Sequence, residues 1–175
     1  AIVLDEADCM QQATEHLMTL GHERLAYAGS DPAKAKGWVR YRSFAETVWS
    51  RDLELPLDWV FAFPLSVQEE ERLCAILERD DRPTAVVCSS DLWAVQLMRC
   101  IDRAGLRCPE DLALVSLGDR AFGRGLPVSL TSLRFDVEGL AREAVAAVDA
   151  ALAGRPVSNA RLGGELIVRE SCGAR

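Results

Sequence analysis

The residues best placed for chemistry are Ser89, Ser90 and Asp91. They follow Ala85-Val86-Val87-Cys88, an apolar run suited to a strand buried on both faces of a parallel sheet. Ala94, Leu97, Met98 and Ile101 then recur at helical spacing, and Gly105 supplies a stop. A polar turn between a buried strand and a helix lies at the carboxyl end of the strand, where open α/β sheets collect ligands. Free N–H groups and the positive helix end suit polar or anionic atoms there. Each of the three residues is also a good helix N-cap, so Asp91 has a purely structural reading as well.

Nucleophilic catalysis finds little support. Cys88 stands beside two serines, but His16 and His22 are remote in sequence and no acidic partner is marked. A nucleophile without a base in reach is not activated, so the chain is read as a non-enzyme. The six cysteines form no CxxC pair, and most fall inside apolar patterns. They are read as reduced thiols in a cytoplasmic protein, with no metal or other cofactor.

The elements that position the turn alternate. Ala1 to Leu4 reads as a strand ending at Asp5, Asp8 to Leu20 as a helix, and Leu25–Ala28 as a strand. A turn at Gly29 to Pro32 precedes a helix from Val39 to Trp49, a strand from Trp59 to Phe63 and a helix from Val67 to Glu78. Beyond the central unit come a strand Leu112–Leu117, a β-rich stretch Ser129–Leu133, a helix Val137–Leu152 and a final strand Leu166–Val168. The fold class is α/β, a parallel sheet with helices on both faces.

At 175 residues the chain can bury a sizeable core, and 49% apolar with 27% charged residues is ordinary globular composition. A net charge of −7 argues against nucleic acid binding by the chain alone. No apolar run reaches the ~20 residues of a membrane span, so no membrane partner is expected.

Taken in order, EHLMTLGHERLAYAG, WVRYRSF, PTAVVCSSDLWAVQLM, AGLRCPEDLALVSLGD, LTSLRF and VRES resemble the LacI/GalR family of bacterial transcription regulators. The resemblance covers nearly the whole chain. It implies a two-lobed, periplasmic-binding-protein-like core that holds a small, sugar-like effector between its lobes, usually as a homodimer. Operator DNA would be reached only through a helix-turn-helix that these residues lack. Against that architecture, 25–122 and 161–171 are expected to be the C-terminal lobe, and 1–5 and 129–152 remnants of the N-terminal lobe. A periplasmic sugar-binding protein of an ABC transporter is the alternative function.

The resemblance also marks effector-binding candidates. Asp5 corresponds to the carboxylate ending the lobe-crossing strand, with helix capping as its other reading. Arg40 matches the arginine three residues before the family's Gly-Phe pair, here Ser43-Phe44, and is expected to reach effector oxygens. Ser90 stands where relatives carry an Asn for sugar hydroxyls, with Asp91 next to it. Gly118 occupies the place of an effector-binding Asp, leaving Asp119 as the substitute. Trp38 and Phe63 are the rings nearest to a stacking position. His22 belongs to a Gly-His turn whose role is structural.

Overall fold

Alternate residues of each central strand face opposite sides and need cover on both, and that requirement generates the three-layer architecture of the computed structural model. On β4 (Ala85–Cys88), Ala85 and Val87 join one apolar cluster while Val86 and Cys88 join another. The first cluster lies under α1 (Glu6–Thr19) and α2 (Ala35–Trp49) and contains Met10, Leu17, Tyr27, Phe44 and Val48. The second lies under α3 (Val67–Leu77) and α4 (Asp91–Arg103) and contains Leu73, Leu77, Leu97 and Ile101. The structure describes residues 1–174, without the side chains of residues 35 and 36.

The main sheet has six strands, with β2 (Leu25–Ser30) between β3 (Val60–Phe63) and β4, then β5 (Ala113–Leu117), β6 (Thr131–Phe135) and β8 (Gly164–Ile167). β2 to β6 run parallel, and β8 is an antiparallel edge. Apart from them, β1 (Ile2–Leu4) pairs with β7 (Ala160–Leu162), and α5 (Val137–Leu152) packs on these two strands. No helix among the described residues is long and apolar enough to cross a membrane.

The structure differs from the sequence patterns in three places. Residues 129–152 do not stay together as a separate piece, because β6 is an interior strand of the main sheet and only α5 leaves it. Thr131, Ser132 and Leu133 are all buried there. The last strand is also earlier than its apolar pattern suggests, since Gly164 opens it opposite Phe135. The helix read from Val39 begins at Ala35 instead. Its first turn carries no apolar period because it rests on the backbone of Ser30 and Asp31, where any side chain on Gly37 would collide.

Candidate functional site

The carboxyl ends of β2, β4 and β5 meet at one edge of the sheet. Ser89 locks two of them together by donating its N–H to the Ala28 carbonyl at 2.7 Å. Arg40, in the second turn of α2, reaches this edge from the α1–α2 side. Its Nη1 donates to the Ser89 carbonyl, and its Nε and Nη2 donate to Glu6 Oε2 and Oε1 at 3.2 and 2.7 Å. The guanidinium stands 5.7 Å from the centroid of the Phe135 ring. Arg40 is therefore neither a free surface charge nor an unengaged cleft group: it bridges α1, α2 and the end of β4.

Below it, the Tyr27 side chain runs along β2 toward the same edge, so that its hydroxyl and that of Ser89 crowd the space above Gly29. Only glycine leaves room there. The Tyr27 ring packs against Tyr41 and Phe44, each at a centroid distance of 5.5 Å. Its hydroxyl is buried and has no partner in hydrogen-bonding geometry, although the Ser89 hydroxyl stands close by. Burial pushes the Tyr27 phenol up to about 12, with the adjacent Ser89 hydroxyl and then Arg40 opposing the rise.

Ser90 is the N-cap of α4, its Oγ accepting from the Leu92 N–H at 3.4 Å. Asp91 follows it inside the helix and is 1% exposed. Its Oδ1 accepts from the Ser132 hydroxyl at 2.7 Å and from the Ser116 hydroxyl, and its Oδ2 accepts from the Arg120 N–H at 2.6 Å. All of its partners here lie within the protein. It is an internal staple joining α4 to β5 and β6.

Asp119 is also engaged within the protein. It turns off the end of β5 with φ 46°, directly after Gly118 at φ 133°. Its carboxylate is closed from solvent and accepts from Arg134 at 2.7 Å, Arg124 at 3.4 Å and Arg169. Burial alone would raise the Asp119 carboxyl, but the bonds from Arg169 and Arg134 outweigh it and hold the group below the ordinary range. A cavity of about 790 Å³ opens beside this cluster, lined by Asp119, Arg134, Phe135, Glu138 and Glu165 among others.

The remaining candidates divide. Asp5 caps α1 through the Asp8 N–H at 3.2 Å and lies 3.5 Å from Arg161, so it ties the helix to β7. Trp38 is half-exposed on α2, one turn from Tyr41. Phe63 is buried against Trp93, at a centroid distance of 5.5 Å, and belongs to the core. It is not an exposed stacking platform. The Cys88 thiol is fully buried and pushed well above its usual value by desolvation, while His16 lies by Cys172 and His22 by Thr84. That geometry activates no nucleophile. All six cysteines are free.

Tyr27 and Glu6 join Ser89 in the constellation, and neither is marked by a sequence pattern. The one available signal was a hydroxyl inside the otherwise apolar strand LAYAG.

Comparison with known proteins places this geometry. Over 122 residues, 69% of this chain, the sequence is 26% identical to the HTH-type transcriptional repressor PurR of Mannheimia succiniciproducens, and it spans only 36% of that protein. A LacI family transcriptional regulator from Mycobacterium smegmatis superposes with a TM-score of 0.81 and 30% identity, over 97% of this chain and 64% of that one. Another from Lactobacillus casei, solved with bound glucose, gives 0.78 and 25% over 96% and 63%. The pattern of the periplasmic binding protein-like domain matches residues 14–172, and the chain belongs to that family, with its similarity lying among LacI-family regulators.

Proposed function

We propose that this chain is the ligand-sensing core of a LacI-type transcription regulator, binding a small effector at the carboxyl ends of β2, β4 and β5. The observation that carries the reading is the convergence of Arg40, Ser89 and Tyr27 on one edge of a parallel sheet. The similarity to transcriptional regulators, one of them with bound glucose, supports it. In this reading β1, β7 and α5 begin a second lobe that closes over the effector, and operator contact requires a DNA-reading segment outside these residues. The protein acts in the cytoplasm, as a homodimer, and performs no catalysis.

The test is transcriptional. Deleting the gene should change expression of a small set of operons and abolish their response to one metabolite. A change confined to uptake of a sugar, with transcription unaltered, would instead favour a carrier.

A further inference from the structure

We propose that the effector carries an oxyanion, a carboxylate or a phosphate, and that it binds by displacing Glu6 from Arg40 and accepting hydrogen bonds from the Tyr27 and Ser89 hydroxyls. This rests on the effector-sensing reading above and specifies the chemistry of that site.

The first reason is the Tyr27 hydroxyl. A buried polar atom without a partner carries a desolvation penalty that a native structure seldom tolerates without return. This one points along β2 to the sheet edge, above Gly29 and beside Ser89. Arg40 and Glu6 are both near enough to act on its ionisation. Arg40 also donates to the Ser89 carbonyl, so an oxyanion seated on Arg40 lies next to the residue that flanks this hydroxyl.

The second reason is an inventory of donors and acceptors. A neutral polyol needs acceptors for its own hydroxyls, usually carboxylates, as well as donors. Here the carboxylates at the sheet edge are already engaged. Asp91 is held by two serines and a backbone N–H, and Asp119 by three arginines. Asp31 caps Ala33 at 2.9 Å, and Asp5 caps α1. Gly118 offers no side chain. Glu6 is held in the fork of Arg40, and once a ligand takes its place the edge presents a guanidinium and two hydroxyls, which suit an oxyanion that requires donors only.

The third reason is Glu6 itself. Its two oxygens already occupy the fork of Arg40 in the arrangement a ligand carboxylate would take. The pair is only partly buried, with side-chain exposures of 23% for Arg40 and 35% for Glu6, so exchange needs no unfolding. Asp5, not Glu6, caps α1, so the helix start survives when Glu6 swings away.

The experiment compares three probes of similar skeleton, D-glucose, D-gluconate and D-glucose 6-phosphate, by thermal shift and calorimetry on the 175-residue chain, alongside neutral pentoses. One or both anions should bind at least about tenfold more tightly than any neutral sugar, and which of the two does so separates carboxylate from phosphate. Tyr27→Phe should leave the ligand-free melting temperature unchanged or higher and weaken the anion about tenfold. Glu6→Gln, removing the internal competitor, should strengthen it. A neutral sugar that binds as well as the anions overturns the oxyanion assignment while leaving effector sensing intact. Binding by none of these probes overturns the assignment of a sugar-like oxyanion, and effector sensing itself stands or falls by the transcriptional test above. Unaltered anion affinity in Tyr27→Phe removes the hydroxyl from the site.

Discussion

Gly118 and Asp91 compete for one place. A Cβ built on Gly118 would stand 3.1 Å from Asp91 Oδ2, the oxygen that accepts from the Arg120 N–H at 2.6 Å. With φ at 133° the backbone there also disfavours any side chain. The missing carboxylate at position 118 and the internal role of Asp91 are therefore one arrangement. Gly118→Ala should destabilise by about 2 kcal/mol through strain, and Gly118→Asp by more, because it sets two carboxylates side by side. Urea denaturation checks this, and a neutral Gly118→Ala would contradict it.

The two neighbours at the start of α4 should separate sharply. Ser90→Ala removes an exposed cap and should cost about 1 kcal/mol. Asp91→Ala strands two buried hydroxyls and a backbone N–H, so a loss of about 3 kcal/mol or more is expected. Equal losses in the two variants would mean that Asp91 is no more than a cap.

Asp119 should give the fold an acid-sensitive clamp. Its carboxyl sits below its ordinary value when folded, since the bonds from Arg169 and Arg134 outweigh the effect of burial. The contribution is therefore present above the unfolded carboxylate range, near pH ~4, and is lost as pH falls through the lowered value. Asp119→Asn should lower stability at pH 7 and flatten the stability profile in that acid window. Parallel profiles for the two proteins between neutral and acid pH would rule the clamp out.

The 175-residue chain should self-associate. α5 leaves Val137, Val145, Val148 and Leu152 between 58% and 83% exposed, on a helix that packs mainly against the small β1–β7 ribbon. Apolar area of this kind drives association. Sedimentation velocity at tens of micromolar protein should show a concentration-dependent shift that Val145→Glu and Val148→Glu reduce. A constant monomer would contradict it.

The sequence by itself determined the parallel α/β class and the positions of most elements. Apolar runs such as Ala85–Cys88 and the period of Val137–Leu152 are local patterns, set by side-chain spacing within one element. It also determined that the turn at Ser89–Asp91 lies at a sheet edge and that Arg40 belongs near it. Only the tertiary structure decided which polar groups remain available. Asp119 meets Arg134 and Arg169 from 15 and 50 residues away, Asp91 meets Ser132 from 41, and Arg40 meets Glu6 from 34. Those partnerships have no period to read, because they arise where separate strands end side by side. The same cause hid the neighbours of β6, whose place beside β5 follows from sheet pairing and not from its own short pattern. Tyr27 reads in sequence as one more core residue of its strand; its unpartnered hydroxyl at the sheet edge exists only once Gly29, Ser89 and Arg40 are brought around it.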